Sequence, residues 1–190
     1  MTSPDSVAPS ERLRLFLALR LPGDALDEME SWQAAELEGR LRGELRIVPR
    51  EHLHVTLAFL GHRPAAELPA IVDALRGAAR LDGDYRLRPA RYRETRSVAM
   101  VVLDDVGGAA TTLAAGLQER LEALGVYRRE SRPWLPHITV ARFRERPRLQ
   151  PAPFRLRTDV LIPSDAAAYL SRPSPSGARY EVVTTVALGG

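Results

Sequence analysis

The amino-acid sequence predicts an α+β fold built from two similar halves. Segments with helical periodicity stand between segments that alternate or run apolar as strands do, which favours helices and strands packed in one domain. The tripeptides at 54–56 (His-Val-Thr) and 137–139 (His-Ile-Thr) repeat one pattern 83 residues apart. A length of 190 residues with 45% apolar content suits one compact domain or two small lobes. A repeat at nearly half the chain length therefore predicts pseudo-two-fold symmetry.

The first half is predicted to contain three strands and two helices. Residues 12–21 alternate around leucines, and Pro22 with Gly23 ends the first strand. Helical spacing of apolar residues follows, with Asp24 as the N-cap. Two further strands are separated by a proline, and Gly61 ends the second of them. The strands are predicted at 12–21, 45–48 and 52–60, and the helices at 24–42 and 65–79.

The second half is predicted to contain one long helix among five strands. Leucines on one face mark the helix, and Gly125 ends it. The segment 171–177, rich in Pro, Ser and Gly, is a predicted loop, and 144–153 is a short linker. Residues 1–10 are a predicted flexible tail, which leaves 11–190 as a single domain. The helix is predicted at 108–124, and the strands at 85–92, 98–103, 137–143, 154–162 and 180–188.

Each His-x-Thr element presents an imidazole and a hydroxyl from one face of a strand. Side chains alternate along a strand, so residues two apart share a face about 7 Å from each other, while Val55 or Ile138 packs into the core. Two such elements facing across a cleft would surround one small anion. Because histidine titrates near neutral pH, one ring can take a proton from water while the other protonates a leaving oxygen. His54 and His137 are therefore the predicted catalytic pair for phosphoester chemistry.

Phosphate ligands are predicted beside the two histidines. The hydroxyls of Thr56 and Thr139 and the guanidinium of Arg142 can donate hydrogen bonds to non-bridging phosphoryl oxygens. Phe59 and Arg142 both stand five residues after a histidine. In a regular strand, residues an odd number apart point to opposite faces, so neither side chain would share the face of its histidine. Either a β-bulge or a strand end re-aims them, or they are core and surface residues. Phe59 is thus predicted as a base-stacking ring, with a core position as the alternative.

The histidines also allow other interpretations. A single His-x-Thr often occurs by chance. In that case the histidine has a structural role, with a half-buried ring that forms a hydrogen bond with a backbone group. His52 and His54 could instead hold a metal ion, with His62 as a third ligand. No nearby carboxylate completes that set, and a metal would leave the element at His137 unexplained. We therefore predict no metal, with His52 as a structural residue at the start of its strand.

The composition excludes several chemistries. All 27 basic residues are Arg, and a chain without Lys has no Schiff base, phosphate-loop lysine or adenylated lysine. A chain without Cys has no thiol nucleophile, disulfide or thiolate metal site. The net charge of +3 rests on guanidinium groups, which bind phosphate well. No run approaches ~18 apolar residues and no secretory signal is visible, so a cytoplasmic protein without a membrane partner is expected.

The segments around both histidines resemble those of the two-histidine phosphoesterases. HLHVTLAFLG at 52–61 and RPWLPHITVARF at 132–143 are similar to the two signatures of that family, specifically its bacterial RNA 2′,3′-cyclic phosphodiesterase branch, also called the 2′-5′ RNA ligase family. RLFLALRLP at 14–22, the approach at 47–51 and YLSRPSPSGARY at 169–180 are similar as well. The resemblance covers about residues 13–188. Ser171 is assigned no role, because Leu170 precedes it where the family often carries a polar residue.

The resemblance implies a bilobal fold, with two antiparallel-rich sheets flanked by helices around a central cleft. It implies an enzyme that needs no cofactor and opens a 2′,3′-cyclic phosphate at an RNA 3′ end, leaving a 2′-phosphate. His54 would then be the acid at the 3′ oxygen and His137 the base for water, although the sequence leaves the reverse assignment open. By the same resemblance Phe59 would stack on the terminal base.

The predicted partners are RNA 3′ ends or nucleotide 2′,3′-cyclic phosphates, and a monomer is expected. Without lysine, any 2′-5′ RNA ligation must be an ATP-independent reversal of the hydrolytic chemistry. Two alternatives stay open. One is a non-catalytic RNA- or nucleotide-binding module, and the other is a phosphodiesterase for small cyclic nucleotides or 2′,5′-oligonucleotides.

Overall fold

Alternating leucines and short apolar runs form an antiparallel sheet with helices inserted between its strands. The computed structural model describes residues 11–38, 45–79, 83–174 and 177–188. Within those ranges the strands are β1 (Arg12–Arg20), β2 (Arg46–Ile47), β3 (His54–Pro64), β4 (Arg86–Glu94), β5 (Val98–Val106), β6 (His137–Arg142), β7 (Asp165–Ser174) and β8 (Gly177–Val186). The helices are α1 (Gly23–Glu36), α2 (Leu68–Ala79) and α3 (Ala109–Ala123), with short 3-10 turns at Arg50–His52 and Ala65–Glu67.

The sheet consists of two antiparallel halves that meet at one point. The strand order is β4-β5-β6-β3-β1-β7-β8, and β2 also pairs with β6. The central strands β3 and β6 are joined by a single Cα pair, Val55 with Ile138. One lobe therefore contains β1, β3, β7 and β8, and the other contains β2, β4, β5 and β6. The α+β fold class is confirmed; where two sheets were expected, the pair at Val55 and Ile138 joins the two halves into one.

Strand β1 shows how the sheet separates core from cleft. Its leucines alternate, and Leu15, Leu17 and Leu19 are fully buried in the main core against the helices. The opposite face carries Phe16 and Ala18, which belong to a second, smaller apolar cluster with Ala167 and Tyr169. This second cluster lies on the face where the two histidines are found. Two-sided burial explains why residues 15–19, the centre of this strand, are all apolar.

Several predicted boundaries differ from the structure. Helix α1 ends at Glu36, and residues 39–42 of the predicted helix, like the predicted tail 1–10, lie outside the described residues. Pro22 is the N-cap, because its backbone is extended, whereas the carboxylate of Asp24 accepts the N–H of Ala25 within the first turn. Strand β3 continues past Gly61 to Pro64. Gly61 takes φ +66° at a register shift against β1, so it marks a bulge rather than a strand end.

The C-terminal third contains the largest error of the sequence prediction. Residues 154–162 form no strand and make one isolated bridge, between Leu161 and Leu87. Strand β7 was missed, and its last four residues were predicted as loop. Its alanines have weak strand propensity, but β7 pairs with β1 on one side and β8 on the other. Tertiary pairing therefore decides the structure of this segment. No helix among the described residues is long and apolar enough to cross a membrane.

Candidate active site

The two predicted catalytic histidines are the first residues of the two central strands. His54 begins β3 and His137 begins β6, one residue before the Val55–Ile138 pair on each strand. Because antiparallel neighbours run in opposite directions, His54 lies beside Thr139 and Thr56 lies beside His137, all on one face. The structure thus brings both His-x-Thr elements together at the junction of the lobes.

Both imidazoles are oriented by the same hydrogen bond. The Nδ1 atom of His54 donates to the carbonyl oxygen of His52 at 2.7 Å, and that of His137 donates to the carbonyl oxygen of Leu135 at 2.8 Å. A carbonyl only accepts, so Nδ1 carries the proton in each neutral ring and Nε2 has the free lone pair. The Nε2 atom of His54 accepts the hydroxyl of Thr56 at 3.0 Å. Each Nε2 is therefore the atom available for proton transfer.

Aromatic side chains surround the ring of His54. The ring centroid of His54 lies 4.9 Å from that of Phe16 and 5.8 Å from that of Tyr180. The pKa of His54 is lowered to about 4, mainly by burial and also by the nearby charges of His137 and Arg142, while the hydrogen bond to the carbonyl of residue 52 acts in the opposite direction. His54 is therefore neutral at neutral pH in the free protein.

Each central strand has a β-bulge three residues after its histidine. Leu57 is an extra residue in β3 relative to β1, and Val140 is an extra residue in β6 relative to β5. A bulge reverses the side-chain parity beyond it, so Phe59 and Arg142 turn to the face of the histidines. Both side chains are exposed, with Phe59 50% accessible. The bulge predicted as one explanation for their offset is confirmed, and Phe59 is not a core residue.

Two buried glutamines hold these bulges, and sequence reasoning missed both. Gln33 of α1 donates its Nε2–H groups to the carbonyl oxygens of Val140 at 2.9 Å and Val48 at 3.1 Å. Gln118 of α3 donates to the carbonyl oxygen of Leu57 at 3.0 Å. Each glutamine thus contacts the bulge of the other half of the chain. The available signal was an uncharged polar residue on an otherwise apolar helix face.

A cavity of about 670 Å³ opens above the His54 element. Five of the six predicted site residues line it: His54, Thr56, Phe59, Thr139 and Arg142. His137 instead lines an adjoining cavity of about 560 Å³, which shares Thr56 and Phe59 with the first. The two histidines therefore line adjoining cavities, which Thr56 and Phe59 separate.

The first cavity also contains residues that the sequence analysis did not select. Arg14 donates to the hydroxyl of Ser171 at 2.9 Å, and its guanidinium lies 4.9 Å from the ring centroid of Phe59. Arg46 and Arg179 line the side of the cavity next to the β7–β8 hairpin. The only available signal for Arg14 was a charged residue at an alternating position of an apolar strand. Ser171 is buried and supports Arg14.

The third and fourth histidines do not join a ligand set. The ring of His52 packs 4.3 Å from that of Tyr180, and His62 is exposed on β3 beyond the bulge. Among the residues that the structure describes, no three His, Asp or Glu side chains are placed to share a metal ion.

The comparisons with known proteins agree with this geometry. A family model described as the 2′-5′ RNA ligase superfamily matches residues 22–167. The chain belongs to this superfamily. It is 33% identical over 193 residues to an RNA 2′,3′-cyclic phosphodiesterase of Thermus thermophilus, covering 94% of the chain and 91% of that relative.

Solved structures similar to this superfamily member share its fold. The crystal structure of TT0787 of Thermus thermophilus superposes with a TM-score of 0.74 at 29% identity, covering 94% of the chain and 99% of that structure. E. coli LigT complexed with NADP+ superposes with a TM-score of 0.75 at 26% identity, covering 95% and 100%. The resemblance inferred from the two histidine segments is thereby confirmed.

Proposed function

We propose that this protein hydrolyses RNA 2′,3′-cyclic phosphate ends to 2′-phosphates, with His54 and His137 as its acid–base pair. The observation that carries the proposal is the placement of two His-x-Thr elements on one face of paired strands, each with Nδ1 fixed on a carbonyl. The name of the relative from Thermus thermophilus supports the same substrate. The acid–base reaction needs no metal ion.

The reaction begins with the phosphate held by Thr56, Thr139 and Arg142, whose donors face its two non-bridging oxygens. His137 accepts a proton at Nε2 from water, and the water oxygen bonds to phosphorus. The bond from phosphorus to O3′ breaks, and His54 gives the proton on its Nε2 to that oxygen. The bond to O2′ remains, so the product is a 2′-phosphate.

For this role His54 must be protonated before the bond to O3′ breaks. In the free protein it is neutral, because burial and the cations around it lower its pKa. A bound phosphate anion beside Nε2 raises that pKa, since it offsets the repulsion from His137 and Arg142. Substrate binding thus charges the acid that the reaction uses.

The first cavity has room for the terminal nucleoside as well as its phosphate. A volume of about 670 Å³ falls within the range of small-molecule pockets. One face of the Phe59 ring contacts the guanidinium of Arg14, and the half-exposed ring offers the rest of its surface to a base. Stacking on such a ring is worth about 1–3 kcal/mol and tolerates any base.

The acid–base proposal is tested with single and double histidine variants in the presence of EDTA. We expect His54→Ala and His137→Ala each to lower kcat about 10²- to 10⁴-fold on an RNA that ends in a 2′,3′-cyclic phosphate. The double variant should lose little more than either single variant, because the two rings act as a unit. His62→Ala is the matched control, since that ring lies outside both cavities.

Two results would contradict the acid–base pair. Loss of activity in EDTA with full activity of His137→Ala would indicate a metal-dependent reaction. Salt-sensitive RNA binding without turnover would indicate a binding module.

The second cavity favours ATP-independent 2′-5′ ligation as a second function. It lies on the side of His137, where the attacking group enters, and its lining includes the aromatic rings of Tyr127 and Trp134. The 5′-hydroxyl of another RNA can take the place of water there. We expect cleavage of a 2′,5′-linked dinucleotide and not of its 3′,5′ isomer; equal cleavage of both, or of neither, would contradict this function.

A further inference from the structure

The first cavity carries more positive charge than one cyclic phosphate requires. A 2′,3′-cyclic phosphate is a diester with a single negative charge. The lining holds four arginines, at positions 14, 46, 142 and 179, and one carboxylate, Glu51. Arg142 stands with the His-x-Thr elements, and Arg14 is engaged by Ser171 and the Phe59 ring. Arg46 and Arg179 are left without a role in the reaction.

Arg46 faces Arg142 directly across two strands. The two residues are Cα partners in the β2–β6 ladder, so their side chains leave the sheet on one face with Cβ atoms about 5 Å apart. Like charges in that arrangement repel each other. Within the described ranges, no carboxylate pairs with either guanidinium. An anion bound beside each guanidinium would offset this repulsion.

The guanidinium of Arg46 extends to the β7–β8 hairpin, against Gly177. It lies where a side chain of Gly177 would stand, so only a glycine leaves room for it there. Arg179 lines the same wall two residues later. Beyond the larger effect of burial, Arg142 lowers the pKa of both His52 and His54, whereas Arg46 lowers that of His52. Arg46 is thus set apart from the reacting phosphate.

The backbone separates the two anion positions by about the length of a nucleotide unit. Arg142 and its partner Arg46 lie along β6 from Thr139, and because Val140 is an extra residue between them, the separation equals two residue spacings of β5, or about 7 Å. The side chain of Arg142 can turn back to the His-x-Thr elements, while Arg46 is held at the hairpin. A ligand that bridges the two positions must carry a second negative charge beyond its terminal nucleoside.

We propose that Arg46 and Arg179 form a subsite for the phosphodiester that precedes the terminal nucleotide, so that the enzyme selects RNA ends over free nucleoside 2′,3′-cyclic phosphates. This inference rests on the proposed function, because it needs the cyclic phosphate at the His-x-Thr elements. The subsite recognises charge on the RNA backbone and no base, so it acts on any sequence.

A comparison of three substrates distinguishes the contribution of the subsite from that of the site that binds the cyclic phosphate. They are a nucleoside 2′,3′-cyclic phosphate, a dinucleotide with the same cyclic end, and that dinucleotide with an uncharged methylphosphonate linkage. We expect the wild-type enzyme to prefer the phosphodiester dinucleotide in kcat/KM about tenfold or more over the methylphosphonate, as for a hydrogen bond between charged groups. The nucleoside cyclic phosphate should be hydrolysed about as well as the methylphosphonate.

Variants of Arg46 then assign the preference to this side chain. Arg46→Gln should reduce the ratio between the two dinucleotides to near one, and Arg46→Lys should restore part of it, since the charge returns without the guanidinium fork. Arg91→Gln is the matched control, because Arg91 is exposed on β4 and lines neither cavity, and its replacement removes the same charge. It should keep the wild-type ratio.

The outcomes are distinct. A wild-type enzyme that hydrolyses the two dinucleotides equally would overturn the subsite without any use of variants. Arg46→Gln lowering hydrolysis of all three substrates by one factor would place Arg46 at the reacting phosphate and also overturn it. A wild-type enzyme inactive on all three would overturn the proposed function and the subsite with it.

Discussion

At the level of single residues, His54 combines its proposed catalytic role with a buried environment. Its Nδ1 proton is held by a carbonyl and its ring packs among aromatic side chains, so its orientation is fixed before substrate arrives. The same packing lowers its pKa to about 4. The packing that fixes this ring therefore lowers the free energy of unfolding at any pH at which residue 54 is protonated in the unfolded chain but not in the folded protein.

This effect predicts a dependence of stability on pH. The ordinary pKa of histidine is 6.5, so the unfolded chain gains a proton at residue 54 as pH falls from 6.5 toward 4, while the folded protein does not. Stability present above pH 6.5 is therefore lost on acidification, by about 2 kcal/mol between pH 7 and pH 5. Denaturant unfolding should show this loss in the wild type and in His62→Gln, and a smaller one in His54→Gln. Equal losses in all three would contradict the lowered pKa.

At the level of elements, the two central strands depend on helices of opposite halves. Gln33 of α1 and Gln118 of α3 bond the carbonyls of the bulge residues, and those bulges turn Arg142 and Phe59 into the site. The side chains are buried, so no water replaces a lost amide. Helix packing and site geometry are linked through these bonds.

Replacing either glutamine by methionine should lower stability and activity together. Gln33→Met removes a hydrogen bond from two buried carbonyls and Gln118→Met from one, which costs about 1–3 kcal/mol per carbonyl. Gln33→Met should also lower kcat, up to about 100-fold, because it loosens the bulge that aims Arg142. Gln118→Met should act mainly on KM through Phe59. Loss of stability in both variants with unchanged kinetics would show that the bulges hold without the glutamines.

The elements also show what a sequence can and cannot predict. Strands β3 and β6 were predicted with their histidines because alternation and β-branched residues are local signals. Strand β7 was missed because its alanines carry no such signal and its structure comes from pairing with β1 and β8. The bulges depend on the register of partner strands, and Gln33 and Gln118 are polar residues that a pattern places at the surface. The histidines were predictable, whereas the features that aim their neighbours required the fold.

At the level of the whole molecule, the sequence repeat and the structural lobes are different divisions of the chain. The C-terminal hairpin β7–β8 completes the lobe of β1 and β3, and the early strand β2 joins the lobe of β6. The lobes meet at Val55 and Ile138, which are both fully buried beside the site. The two histidines therefore lie side by side only when both lobes are docked.

Weakening this junction should destabilise the protein. Ile138→Ala removes buried methylene groups from the pair that joins the lobes and is expected to lower the free energy of unfolding by about 2–5 kcal/mol. Val182→Ala is the control, because that side chain is exposed on β8, and its effect should stay within about 0.5 kcal/mol. If Ile138→Ala lowered the free energy of unfolding no more than Val182→Ala does, the claim that this pair holds the lobes together would be contradicted.

The most direct test of the central claim is the product formed from a defined RNA with a 2′,3′-cyclic phosphate end. Separation of the 2′- and 3′-phosphate isomers after incubation in EDTA reports which bond breaks and whether the histidines break it. We expect the 2′-phosphate alone from the wild type and almost none from His54→Ala or His137→Ala. A 3′-phosphate product, or undiminished product from either variant, would contradict hydrolysis by this histidine pair.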